Sequence, residues 1–204
     1  MLFGDLPISN MEVKQPTTDK ITNSLNYDQD FSEATRRVLS HPSVASKSFL
    51  ITIGDRSVGG LVARDQLVGR YQVPTSNYAM STKSFLSNEG DVLSIGEKPT
   101  LAIKNPAASL RMALAEALTN LVSAPVKNLN LVRLSANWMA ACGDEKENHA
   151  LRVGVEALSS MCVKLGIAIP VGKDSLSMRT KWTENRKELE VKSPLSGIIT
   201  AMAP

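Results

Sequence analysis

Residues 105–122, Asn-Pro-Ala-Ala-Ser-Leu-Arg-Met-Ala-Leu-Ala-Glu-Ala-Leu-Thr-Asn-Leu-Val, carry the clearest helical signal in the chain. Asn105 can cap the first turn, and Pro106 suits the first helical position, where an N–H has no intrahelical partner. Strong helix formers follow without a break. Upstream, an earlier helix is expected at about 30–39, capped by Asp30 or Ser32, with Phe31, Ala34, Val38 and Leu39 as its apolar face. His41-Pro42 stops it, because the residue before proline avoids helical angles.

Between these helices, Ser48–Ile53 (SFLITI) reads as a buried strand closed by Gly54. Ser57–Ala63 is a glycine-interrupted apolar stretch, and Tyr71–Thr82 and Val92–Ile95 read as further strands. Downstream, Leu131–Ala136 predicts a strand and about 147–165 a second long helix ended by Gly166. Ile167–Val171, Ser177–Trp182, Glu188–Val191 and Leu195–Met202 predict closing strands, with TENRK as a hairpin tip. The pattern predicts an α+β fold, a mixed β-sheet with helices packed on one face. Residues 1–29 are polar, hold two prolines and show no sustained period. They read as a leader or linker, and 30–204 as one domain. The last strand stops at Pro204 as though cut at a domain boundary.

The chain has 204 residues, enough to bury a core without staples, and its aromatic content is only 4%, so that core must rest on aliphatic side chains. Lys and Arg number 23 against 20 acidic residues, a formal charge of +3. That balance lacks the basic stripe of a nucleic-acid binder. No apolar run is long enough to span a bilayer. Cys142 and Cys162 stand in apolar surroundings without a CxxC, which disfavours a zinc site and agrees with a reducing, cytoplasmic setting. His41 and His149 each stand alone, so no catalytic triad is visible.

Four segments hold more polar detail than a core requires. Ile53-Gly-Asp-Arg-Ser57 delivers Asp55 and Arg56 into a glycine-flanked turn and is followed by Ala63-Arg-Asp-Gln66; read locally, a charged β-turn with a surface ion pair is the better account. Glu116 and Asn120 stand four residues apart on one helical face among apolar neighbours, an arrangement of oxygens that suits magnesium. A hydrogen-bonded pair on a helix surface explains them as well, and better when they are judged alone. Ile169–Ser175 (IPVGKDS) brings Lys173 and Asp174 to a glycine turn that suits a phosphate or a plain capped turn, and it lacks the spaced glycines of a P-loop. Leu134–Met139 (LSANWM) sets Asn137 beside Trp138, where packing of the indole explains most of the pattern.

In order, the strings VASKSFLITIGDRSVGGLVARDQLVGRYQVP, EALTN, LSANWMA, IPVGKDSLSM and SPLSGIITA resemble the phosphoribosylformylglycinamidine synthase family of the large, single-chain type, from about Arg36 to Ala203. The resemblance implies a ligase that uses ATP, magnesium and glutamine-derived ammonia to convert formylglycinamide ribonucleotide to formylglycinamidine ribonucleotide in purine biosynthesis. In that reaction the amide oxygen is phosphorylated, and ammonia then displaces phosphate. Such enzymes hold two fused aminoimidazole-ribonucleotide-synthetase-like units, each with an N-half and a C-half. This chain resembles the N-half of the second.

The resemblance further implies a sheet that pairs with that of the first unit. The partners would be that unit, the two C-halves and the glutaminase domain, with self-association through the sheet when the domain is isolated. It implies an auxiliary ATP/ADP and Mg2+ site in which Glu116 and Asn120 are metal ligands, Lys47 lies near the phosphates and Ser76 contacts the nucleotide. Asn77 occupies the position of the family's third ligand, an aspartate, which puts metal binding in doubt. It also implies that Asp55, Arg56, Lys173 and Asp174 face the catalytic cleft. A second reading is an assembly module with a degenerate site and no activity of its own. A third, aminoimidazole ribonucleotide synthetase itself, is opposed by ANWMAACG and VGKDSLSM.

Overall fold

A computed structural model describes Val13, Gln15 and residues 30–204. The leader expected over 1–29 otherwise lies outside the described residues. The α-helices among the described residues are, in order, α1 (Phe31–Ser40), α2 (Ser48–Thr52), α3 (Pro99–Ala102), α4 (Pro106–Leu121) and α5 (Glu145–Leu165). The strands are β1 (Val62–Arg64), β2 (Ala79–Thr82), β3 (Gly90–Glu97), β4 (Arg133–Met139), β5 (Ala168–Ser175), β6 (Arg179–Glu184), β7 (Lys187–Lys192) and β8 (Ser196–Ala203).

Six strands form one mixed sheet in the order β1-β2-β3-β8-β4-β5. Only β4 and β5 run parallel. A parallel pair needs a crossover, which α5 provides. The last strand, β8, enters the middle of the sheet, and its residues alternate strictly between the two faces: Gly197, Ile199, Ala201 and Ala203 are buried, while Ser196, Ile198, Thr200 and Met202 are half-buried. This period of two places one face under the helices and leaves the other without a helical cover.

α4 packs against β3, β8 and α5 and is the hub of the buried layer. Its buried side chains, Ser109, Leu110, Ala113, Leu114, Ala117 and Leu121, recur at helical spacing. The expected cap is present, with Asn105 Oδ1 accepting from Ala108 N at 2.9 Å and Pro106 in the first turn. On α5 the buried row Ala150, Gly154, Leu158 and Cys162 follows one face at intervals of four. A Cβ on Gly154 would stand 3.1 Å from methyls of both Leu110 and Leu195, so the glycine lets the two helices approach. Asp144 Oδ1 caps α5, accepting from Lys146 N and Glu147 N, and Gly166 ends it at φ +69°. Lys192 Nζ donates to Asp144 Oδ2 at 2.7 Å, which ties the separate β6–β7 hairpin to this cap. Asn185 and Arg186, both at positive φ, form the tip of that hairpin, within the predicted TENRK.

Two expected strands need correction. Ser48–Ile53 is not a buried strand: Ser48–Thr52 forms a short helix with no buried residue, and Ile53 is 82% exposed. An apolar run alone cannot separate helix from strand. The local hydroxyls decide it here, with Ser48 N donating to Ser46 Oγ and Thr52 Oγ to Ser48 O. In Tyr71–Thr82 only Ala79–Thr82 is strand. Pro74 lacks a donor and Gln72 sits at φ +51°, so the preceding residues turn instead.

The closest approach in the fold is α4 on β3. A Cβ on Gly96 would lie 2.1 Å from Ala113 O and 2.5 Å from Ala117 N, both backbone atoms of a helix that cannot yield locally. At Gly197 the nearest atom is a methyl of Leu110, the end of a flexible side chain. Gly96→Ala is therefore expected to cost about 3 kcal/mol or more and Gly197→Ala distinctly less. Urea unfolding of both variants would measure the difference, and equal losses would contradict this account of the helix seat.

Candidate functional site

β3 is longer than its neighbour β2. Pairing with β2 ends at Ala79↔Leu93, and beyond it the residues from Ser94 to Glu97 have β8 as their one strand partner. The bare edge would leave main-chain groups without partners. Two side chains of α4 fill the gap: Asn120 Nδ2 donates to Ile95 O at 3.2 Å, and Glu116 Oε2 accepts from Glu97 N at 2.9 Å. They stand in for the missing strand.

The chain entering β2 comes in from the side at residues 76–78, and a hollow of about 530 Å³ opens between it and this edge. Ser76, Asn77, Ile95, Asn120 and Thr200 are among its walls. Asn77 and Asn120, which the sequence reading joined, thus meet here with Ser76. Asn77 is exposed, and among the described residues Asn120 Oδ1 accepts no hydrogen bond, so neither amide is closed off by a partner on its oxygen. Thr200 was not singled out from the sequence. Its place depends on β8 entering the sheet centre beside β3, which no local pattern reveals.

Glu116 is one turn from Asn120, but one oxygen of its carboxylate is occupied. Lys98 Nζ lies 2.8 Å from the same Oε2 that accepts from Glu97 N. Partial burial pushes its pKa up. The Lys98 hydrogen bond, the Glu97 amide and the Lys98 charge together outweigh that and hold it below the ordinary value. Lys47, which precedes α2, donates to Ala45 O at 2.5 Å and is not among the residues lining the hollow.

The other four candidates do not come together within this chain. Arg56 stands before β1, paired with Asp65 at 2.6 Å and with Gln72 Oε1 at 3.2 Å, and its Nε is buried without an acceptor. Asp55 beside it is exposed. Lys173 and Asp174 lie on β5, at the opposite edge of the six-stranded sheet, and Lys173 Nζ donates to Ser175 Oγ. Five strand spacings separate the two edges, roughly 24 Å.

A tight magnesium site is not supported by this donor set. Among the described residues no three His, Cys, Asp or Glu side chains gather as a metal would require. Magnesium favours carboxylate and phosphate oxygens, whereas here the one carboxylate is already engaged and the other two donors are neutral amides. The linkage has a definite sign. A carboxylate depressed in the folded state stabilises fully above its ordinary pKa of 4.5 and loses that contribution as pH falls through the lower folded value. Glu116→Gln keeps an acceptor for Glu97 N but removes the charge. It is expected to cost roughly 0.5–1 kcal/mol at neutral pH, discounted for solvent screening. The gap to wild type should close in acid, as thermal melts across pH will show; a gap independent of pH would discount the ion pair.

Residues 46–204 match the family model described as the FGAR-AT PurM N-like domain. Among solved structures, the chain is similar to Thermotoga maritima PurL complexed with ATP (16% identity, TM-score 0.45, covering 69% of this chain and 24% of that one). T. maritima PurL complexed with ADP aligns at 16% identity and TM-score 0.46, over 63% of this chain and 20% of that one. A thiamine monophosphate kinase from Aquifex aeolicus aligns at 11% identity and TM-score 0.37, over 57% and 35%. The chain thus spans about a fifth to a quarter of the length of the PurL structures.

Proposed function

The chain belongs to the FGAR-AT PurM N-like domain family, and from that premise we propose that it serves a phosphoribosylformylglycinamidine synthase as the N-half of the second synthetase-like unit. The complete enzyme would carry out the ATP- and glutamine-dependent ligation in the cytoplasm, with ammonia supplied by a glutaminase domain. This chain's own part is to hold ATP or ADP in an auxiliary site and to offer its sheet to the companion unit. The nucleotide role is supported by one observation above the rest: Ser76, Asn77 and Asn120, 44 residues apart at their extremes, wall a single hollow at the open edge of β3. Under this reading residues 1–29 connect the domain to what precedes it, and 30–204 act as one unit.

Nucleotide binding raises stability by mass action, by about 2.7 kcal/mol at a ligand concentration a hundredfold above Kd. ATP is therefore expected to raise the melting temperature of the full chain, and magnesium to add little to that rise. Asn77→Asp restores a carboxylate and should make the rise magnesium-dependent. The alternative, an assembly module whose site no longer binds, predicts no response to ATP in either protein. Calorimetry that found tight magnesium binding without nucleotide would contradict the weakened-metal reading.

The face of the sheet without helices carries Leu93, Ile95, Ile198 and Met202, with Ile95 56% exposed. Apolar area on that scale favours burial against a second surface. In the proposed enzyme the companion unit covers it; in isolation a second copy of the chain would do so. Sedimentation should then show self-association that Ile198→Glu abolishes. A wild-type chain that stays monomeric at high concentration would remove this face as a pairing surface.

A further inference from the structure

A second hollow, of about 370 Å³, opens on the β1–β2 side of the first. The two share the lining residues Ser76, Tyr78, Ala79 and Leu93 and therefore adjoin, and together they are taken as a trough beside β2. Arg64, at the end of β1 and within the Ala63–Gln66 segment noted in the sequence, lines the new part. Its Nε donates to Ser76 Oγ at 2.7 Å, and its guanidinium carbon lies 4.4 Å from the centroid of the Tyr78 ring. These two contacts fix the plane of the group. Ser76 Oγ donates in turn to Tyr78 O at 2.5 Å, so the anchor itself is fixed.

The two terminal nitrogens of Arg64 are left over. Among the described residues no hydrogen bond or ion pair engages them. The side chain is half-buried, and its terminal nitrogens are not among the buried atoms without a partner, so they stay open to a ligand. Asp65 lines the same hollow and would be the obvious counter-charge, yet it is taken. Arg56 Nη2 lies 2.6 Å from Asp65 Oδ2, and Asp65 Oδ1 accepts from Gln66 N at 2.8 Å. Gln66 Nε2 also donates to Arg56 O, which holds the ion pair in place. With Asp65 neutralised by Arg56, the charge of Arg64 is uncompensated. The remaining polar groups around it include the hydroxyls of Thr75 and Ser81, both capable of donating.

We infer that Arg64 is the anion-holding end of the trough and takes a phosphate group of a small molecule. A pre-oriented guanidinium with two free N–H edges matches two oxygens of a phosphate in a fork geometry that a lysine cannot reproduce. The inference rests on the proposed nucleotide reading only for what is joined to that phosphate. Free oligophosphate and the phosphate tail of ATP share the recognised chemistry, and the test separates them.

The full chain is titrated by calorimetry with sodium tripolyphosphate, ATP and adenosine, as wild type and as Arg64→Gln, Arg64→Lys and Arg70→Gln. Arg70, on the exposed turn after β1, is the control for loss of surface charge. Tripolyphosphate and ATP are expected to lose about tenfold or more in affinity with Arg64→Gln and nearly as much with Arg64→Lys, and to keep it with Arg70→Gln. Should Arg64→Gln fail to fold, phenylglyoxal modification of the wild type replaces it, with tripolyphosphate expected to protect Arg64 and not Arg70. Tripolyphosphate that binds the Arg64 variants as tightly as wild type, or protects neither arginine, overturns the inference. Binding of ATP that is indifferent to Arg64 also overturns it, while leaving the nucleotide reading intact. Arg64-dependent binding of tripolyphosphate without binding of ATP sustains the subsite and removes the nucleotide.

Discussion

Contact between α4 and β3 at Gly96 sets the rest of the domain. The helix backbone sits where a Cβ would be, close enough for its side chains to reach over the strand to its free edge. Glu116 and Asn120 then complete the hydrogen bonding that β2 stops supplying after Leu93. The hollow exists because the chain departs from β3 at that point while α4 remains. A longer β2 would close the edge and fill the cleft; a more distant α4 would leave Ile95 and Glu97 unpaired. Site and fold therefore share one constraint.

This shared constraint explains why the polar pair on α4 has two readings. Oxygen-bearing side chains four residues apart suit a cation, and they equally suit a strand edge that lacks a partner. The structure commits Asn120 through its amide nitrogen, which leaves the carbonyl oxygen free for a ligand. Glu116 is committed through the oxygen itself, to an amide and an ammonium at once. The same spacing thus yields one residue still available for binding and one spent on architecture.

Much of the architecture was legible where local chemistry decides it. The caps at Asn105 and Asp30, the glycine ending α5, the alternation of β8 and the TENRK tip are each fixed by neighbours in sequence. The helix over Ser48–Thr52 was not, because its apolar residues are exposed and their pattern imitates a buried strand. Of the site, Glu116 and Asn120 could be paired by helical spacing alone. Thr200 and Arg64 could not, since each reaches the trough only through the order of strands in the sheet. The pairing of Asp65 with Arg56 rather than with its neighbour Arg64 is likewise set by the fold and not by adjacency in ARDQ.

The charge pattern along the trough has a consequence for how a phosphate would be held. A site with several carboxylates repels phosphate unless a divalent cation bridges the two, so metal and nucleotide must arrive together. Here Asn77 brings no charge, Glu116 is balanced by Lys98, and Asp65 is balanced by Arg56. What remains is the fixed charge of Arg64 at one end and neutral amides at the other. In the site proposed above, such a wall would attract phosphate directly, and a bridging cation would gain little from it. The replacement of an expected carboxylate by Asn77 and the uncompensated guanidinium of Arg64 then belong together: each moves the trough from metal-mediated toward direct recognition of an anion.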